Sequence, residues 1–252
     1  MNDPHVALLE YQLQESVDFH FQNPPDLEFH SPLFSGRLSN GTLQLRPKSH
    51  FASEPEARPV ADEFVKAWEI CEGLRRGHGV FSFRFNGSQV VDRSPEPGNL
   101  SLQTSGFVYI TDSARIEVLS PRYPDPPGDF TATPEVEILW QRYSNYSEGH
   151  EPLQAMAYFC LTFLEGIGGK RRERREEAGK RFGIEFDVLE NLGELSSAYG
   201  DMATARKAHP DLRPLSDNQT RWVVAAVKAI IHHLATRRSG QVLQMSDLPP
   251  LE

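Results

Sequence analysis

"PRYPDPPGDFTATP", residues 121–134, decides how the chain is organised, because it carries five prolines in fourteen residues. Proline has a fixed φ and no backbone N–H, so the run can continue neither a helix nor a central strand. The hydrophobic period also changes across it. Upstream, apolar and polar residues alternate; downstream, apolar residues recur at helical spacing. The run is therefore predicted to be a linker, 121–133, between an α+β domain at 1–120 and a helical bundle at 134–240, with 241–252 a flexible tail.

Working back from the linker, "LLEYQLQ" sets Leu9, Tyr11 and Leu13 against Glu10, Gln12 and Gln14, as a strand with one apolar face requires. "VDFHF" repeats the pattern. In "FSGRLSNGTLQLRP" the dipeptide Asn40-Gly41 supplies the positive φ angles of a two-residue hairpin turn. A second hairpin is predicted at Asn86-Gly87, joining "VFSFRF" to "SQVVD", and a third between "GFVYI" and "RIEVL". One helix lies among them: Pro59 opens it, Val60, Phe64, Ala67, Trp68, Cys71 and Leu74 form its apolar stripe, and Gly77 closes it. The expectation is a mainly antiparallel sheet with this helix packed on one face.

Forward of the linker, "PEVEILWQRYSNY" starts at Pro134 with Thr133 as its cap. "EPLQAMAYFCLTFLE" is apolar around most of its circumference, which places it at the centre of a bundle. A charged helix, "KRRERREEAGKRF", and a shorter amphipathic one ending at Gly200 follow. The last helix is capped by Ser216 and turns Trp222, Ala225, Ala226, Ala229, Ile230 and His233 inward. The sum is a four- to five-helix bundle.

Composition narrows the function classes. The net charge of −9 argues against a surface built throughout for phosphates, although local basic patches remain possible. No stretch approaches the roughly 18 consecutive apolar residues of a membrane span. "MNDPHVALLEYQLQ" has neither the basic start nor the apolar run of an export signal, so a cytoplasmic location is expected. The two cysteines, Cys71 and Cys160, stand in apolar surroundings and read as reduced, buried thiols.

The segment "ARKAH", immediately ahead of the capped last helix, holds Arg206 and His209. Together with the order of helices before it, this part of the chain resembles the HEPN family, helical bundles common in prokaryotic defence and toxin systems. Members that cut RNA carry an Arg followed by a polar residue and a more distant His, and the pairs of two protomers converge at a dimer interface. The resemblance thus implies a homodimer and gives Arg206 and His209 a catalytic role without a metal. An imidazole takes the proton from a ribose 2′-hydroxyl while a guanidinium steadies the phosphate charge. Only two residues separate Arg206 from His209, a shorter gap than in the cutting members. The competing reading makes them loop charges and an extended turn before Pro210.

"KRRERREEAGKR" has seven basic and three acidic side chains. Lys170, Arg171, Arg174 and Arg175 are the candidate nucleic-acid-binding residues, forming a short basic ridge. No aromatic residue interleaves it to stack bases, and pairs such as Arg172 with Glu176 equally fit an ordinary charged helix face. "EGIGGKRR" fails as a phosphate loop, since Leu164 occupies the place of the first glycine and the segment follows a helix.

Asp18, His20, His30 and His50 are too scattered to predict a metal site, and no nucleophile signature occurs, so no cofactor or metal is expected. The aromatics Phe19, Phe21, Phe29, Phe34, Phe81, Phe83, Phe85, Phe107 and Tyr109 are either core or the wall of a ligand groove. The expected function is that of a non-catalytic interaction or sensing protein, with a dimerising bundle and a front half that recognises a protein partner or ligand. The alternative is a metal-independent endoribonuclease acting on RNA through Arg206 and His209.

Overall fold

The protein is described from a computed structural model, whose described residues are 3–16, 19–94, 101–104, 118–166, 170–197, 214–236 and 240–251. The fold is α+β. The chain divides into two compact units, Met1–Phe130 and Thr131–Glu252. Most of the proline-rich run, Tyr123 included, therefore belongs to the first unit.

The first unit is built on a six-stranded sheet in the order β3-β4-β5-β1-β6-β7. Its strands are β1 (Pro4–Glu15), β3 (Leu27–His30), β4 (Phe34–Ser39), β5 (Thr42–Pro47), β6 (Phe81–Asp92) and β7 (Ser101–Thr104), and each adjacent pair is antiparallel. Two short strands, β2 (Phe19–Phe21) and β8 (Val118–Ser120), pair in parallel beside it. Alternation does what the sequence predicts: Leu9, Tyr11, Leu13, Leu38, Leu43 and Leu45 are buried on one face. The helix α1 (Glu54–Arg76) covers that face, with Ala57, Ala61, Val65 and Trp68 in the same core. Trp68 sits among Phe29, Phe81 and Phe83, with ring centroids 5.5, 5.3 and 5.5 Å away. The hairpin at Asn40-Gly41 forms as expected. Their φ angles are 49° and 73°, and Ser39 pairs with Thr42 across the turn.

Two sequence expectations need correction. Helix α1 begins at Glu54, leaving Pro59 inside it. The start is set by "SEPE", in which Ser53 is the cap residue and the Glu56 carboxylate accepts the Ala52 N–H at 3.0 Å. Asn86-Gly87 is no turn, because β6 runs straight through it. Glu10 pairs with Gly87 and Tyr11 with Phe85, which leaves Asn86 as the extra residue of a β-bulge. A matching bulge on β1 leaves Ala7 unpaired between Val6 and Leu8, so the two irregularities cancel and the register is the same at both ends of the ladder. The third hairpin, "GFVYI" with "RIEVL", falls almost wholly outside the described residues.

The second unit holds α2 (Pro134–Ser147), α3 (Leu153–Glu165), α4 (Arg171–Phe182), α5 (Phe186–Ser197) and α6 (Asp217–Ala235). The α2 cap is Thr133, whose hydroxyl accepts the Val136 N–H at 3.4 Å. Helix α3 touches each of the other four, the central place its apolar girth predicts. A reciprocal capping box starts α6: Ser216 Oγ accepts from Gln219 N at 3.2 Å and Gln219 Oε1 accepts from Ser216 N at 2.9 Å. Its buried stripe is Trp222, Val223, Ala226, Val227, Ile230, Ile231 and His233, rotated from the predicted one, with Ala225 and Ala229 only half-buried. Gly200 lies outside the described residues.

The end of the chain also departs from expectation. Instead of a free tail, the segment from Gln241 docks on the bundle. The Leu243 N–H donates to Gly183 O and the Glu185 N–H to Leu243 O, both at 2.9 Å. Leu243 and Leu248 are buried. These apolar side chains lie among the polar residues of "GQVLQMSDLPPLE", too sparse to show a helical or strand period.

Candidate functional site

The residues singled out from sequence do not form one site. Arg206 and His209 lie outside the described residues. Lys170 is exposed just ahead of α4, and the side chain of Arg171 is outside the described set. Arg174 is half-buried, 3.6 Å from Glu165. Arg175 faces inward, only 2% exposed. Its Nε donates to Glu165 Oε1 at 2.8 Å and its Nη1 to Glu190. A guanidinium so enclosed cannot serve a surface ridge, which corrects the expectation for this residue. Arg172 pairs with Glu176 at 3.0 Å, as on an ordinary helix face.

The histidines are dispersed as well. His20 contacts Glu15 at 2.8 Å, His30 contacts Ser35 at 3.2 Å, and His50 contacts His5, also at 3.2 Å. Asp18 lies outside the described residues. Among the described residues no three His, Cys, Asp or Glu side chains converge as a metal site would require. Both cysteines are buried and free. Burial pushes the Cys71 thiol up and the Cys160 thiol up to about 12, far from thiolate chemistry at neutral pH.

A cleft of about 410 Å³ does gather polar groups in the first unit. Its walls are Gln12, Leu13 and Glu15 from the end of β1, Asn40 and Gly41 from the β4–β5 turn, Phe21, Asn23 and Pro24 from β2 and the chain after it, and Tyr123. Local sequence explains part of this arrangement. The hairpin turn forces Asn40 and Gly41 outward, and the Leu13 N–H locks that turn by donating to Gly41 O at 2.7 Å. Asn23 also takes a positive φ, 44°, which asparagine tolerates better than most residues. Phe21 leans on Tyr123, with ring centroids 4.9 Å apart.

Tyr123 is the pivotal group. It is only 6% exposed, and its oxygen accepts the Gly41 N–H at 2.9 Å. Burial raises the phenol above its ordinary value; the bond from Gly41 opposes this, while Glu15 and Asp26 add to it. The hydroxyl proton is therefore retained, and it has no acceptor among the described residues. The side-chain amides of Asn23 and Asn40 are likewise unspent there. Glu15 is committed, taking the Phe21 N–H at 3.2 Å and His20. Asp26 stays ionised because Arg37 bonds it at 2.5 Å and holds its carboxyl below the ordinary range. Glu15 is the one charged side chain among those walls, so the cleft disfavours anions. It suits a neutral or cationic ligand that offers an acceptor to Tyr123 and amide or hydroxyl groups to the asparagines.

The sequence marked the Asn40-Gly41 turn and Phe21 but missed Asn23 and Tyr123. Only the turn-forming "NPP" at 23–25 hinted at the first, and Tyr123 sat unremarked in the proline run. Of the other aromatics, Phe19, Phe29, Phe34 and Phe81 are buried, Phe83 and Phe85 pack partly against the core, and Phe107 and Tyr109 lie outside the described residues.

A smaller cleft of about 250 Å³ lies in the second unit, between Ala229, His232, His233 and Thr236 of the α6 end and Gln241, Val242, Leu243 and Asp247. There His233 is buried, with Nε2 on the Phe182 carbonyl at 3.0 Å. Among the described residues no helix is long and apolar enough to cross a membrane. In comparisons with family models, curated proteins and solved structures, nothing matches the chain.

Proposed function

We propose that the protein is a non-catalytic recognition protein. Its first unit receives a neutral or cationic polar group, on a small ligand or a protein partner, in the Tyr123 cleft, and its HEPN-like bundle associates with a second copy. The observation that carries the first part is the enclosed Tyr123 hydroxyl, whose proton is unspent at the wall of a cleft rimmed by two uncommitted asparagine amides. A donor at the wall of a cleft can exchange water for a ligand acceptor held in fixed geometry, and the two asparagine amides add further bonds to the same ligand. The order of the helices supports the second part.

Ligand-observed NMR with a panel of neutral polyols, primary amides and phosphate monoesters tests the cleft. Polyols or amides are expected to bind and the monoesters to be refused. Tyr123→Phe keeps the ring and removes the donor, and it should weaken binding about fivefold, near 1 kcal/mol. An unchanged affinity in Tyr123→Phe, or a preference for the monoesters, rejects the cleft as the recognition site. Light scattering tests association, and a strict monomer at high concentration rejects that half. RNA incubated with the chain should stay intact. Metal-independent cleavage that His209→Ala abolishes would replace this reading with the endoribonuclease one.

A further inference from the structure

His5 and His50 meet away from the cleft, in a geometry that admits only one proton between them. His5, near the start of β1, is 9% exposed. His50, in the connection from β5 to α1, is exposed and lies beside it, with ring centroids 5.2 Å apart and planes inclined by 14°. The two Nδ1 atoms are 3.2 Å apart, a hydrogen-bond distance. One of them must therefore carry a hydrogen and the other a lone pair. Beside this contact the Val6 N–H donates to Phe51 O at 2.9 Å, so the backbone of the same connection is tied to the same strand.

We infer that the His5–His50 pair is an acid-released latch, holding the β5–α1 connection onto β1 while the pair carries at most one extra proton and letting go when a second one binds. In the neutral pair an Nδ1–H of one ring donates to the bare Nδ1 of the other. Adding one proton at the Nε2 of the donor ring makes that ring cationic and leaves the bond in place. A second proton puts hydrogens on both Nδ1 atoms, and two like charges face each other at contact distance.

The surrounding charges fix the direction. Burial of His5 disfavours its charged form, and Arg93, at the end of β6, and His50 itself act the same way. Asp3, ahead of β1, opposes them weakly, and Asp92 is engaged by the backbone N–H groups of Asp3 and Ser94 at 3.1 and 3.0 Å. His5 is thus lowered in the closed state and returns toward the ordinary value, about 6.5, when the latch opens. The open form binds more protons, so acid favours it. Release begins as pH falls below about 6.5, and the open-to-closed ratio grows about tenfold per pH unit until the closed form also protonates.

The test is an NMR titration of the intact chain, following the nitrogen shifts of both imidazoles and the amide of Val6. Two separate steps are expected. The first should leave the Val6 amide unmoved; the second, at lower pH, should move His5 and Val6 together and strip the Val6 amide of its exchange protection. Coincident, independent titration of both rings near the ordinary histidine value overturns the inference, and so does a Val6 amide that follows the first step or neither. His50→Gln supplies an amide donor to His5 without a titrating charge, and should retain Val6 protection at the pH where the wild type loses it. Loss of protection at the same pH in His50→Gln also overturns it. Should His50→Gln fold poorly, Lys48→Ala, on the same connection but outside the pair, gives the reference titration, expected to match the wild type.

Discussion

Phe29 lies across Gly36, its cross-strand partner, so closely that a Cβ built at 36 would stand 2.1 Å from the ring. The ring is held there by Phe64 and Trp68 of α1, with centroids 5.9 and 5.5 Å away, and cannot retreat cheaply. Gly36→Ala should therefore cost about 1–3 kcal/mol in denaturant unfolding, the usual range for overpacking a filled core. Adding Phe29→Leu should recover part of that loss; equal stability of Gly36→Ala and the wild type would mean the ring is free to move. Arg175 shows the same kind of constraint with charge. A Cβ at Gly193 would fall 1.9 Å from its Nη2, so α5 is glycine where the guanidinium passes. Arg175→Met should destabilise the second unit by about 3 kcal/mol, because Glu165 would remain enclosed with, among the described residues, only the more distant Arg174 as its ion-pair partner. The combined Arg175→Met and Glu165→Leu change should be much milder, and a strict sum of the single effects would count against the pairing. Neither constraint was legible in the sequence. Arg175 stands in a basic run that reads as surface, and its acidic partners are ten and fifteen residues along the chain, on different helices.

The dipeptide Asn-Gly shows where the legibility of whole elements stops. At 40–41 the flanking runs pair with each other, Leu38 with Leu43, so local sequence contains the whole structure. At 86–87 the same two residues lie within a ladder that β1 holds on both sides, from Pro4 with Asp92 to Glu15 with Phe81. The deciding partner is more than seventy residues away, and no local rule could outvote the turn chemistry. A single glycine inserted between Asn40 and Gly41 should cost about 1 kcal/mol or less in stability, since loop closure depends only weakly on length. A single glycine inserted between Asn86 and Gly87 should unfold the first unit, because a shift by one residue turns the side chains beyond it from the core face to the opposite one. Comparable stability of the two insertion variants would return 86–87 to the status of a turn. The start of α1 is legible in "SEPE", which carries a capping pattern, but Pro59 is a competing signal because proline usually marks a first turn.

At the scale of the whole molecule, the change of period told the two kinds of unit apart because each period is repeated over many residues, whereas the docking of the last dozen residues rests on two leucines and a few backbone bonds. Those contacts nevertheless make the end of the chain part of the bundle. Leu243 pairs with the segment after α4 through Ile184, Met245 N–H donates to Glu185 Oε2 at 2.7 Å, and Leu248 is buried. Burying two leucines is worth roughly 1.5–3 kcal/mol each, an upper figure because the unfolded chain already covers some of that surface. A chain ending at Gly240 should lose about 3 kcal/mol from the second unit alone. Trp68 belongs to the first core and Trp140 and Trp222 to the second, so single-tryptophan variants report each unit separately. The shortened chain should shift the unfolding seen by Trp222 to lower denaturant and leave that seen by Trp68 in place. An unmoved Trp222 transition would show that the final segment adds nothing to the bundle. A shift of equal size at Trp68 would mean that the two cores, each complete in its own buried residues, unfold as one.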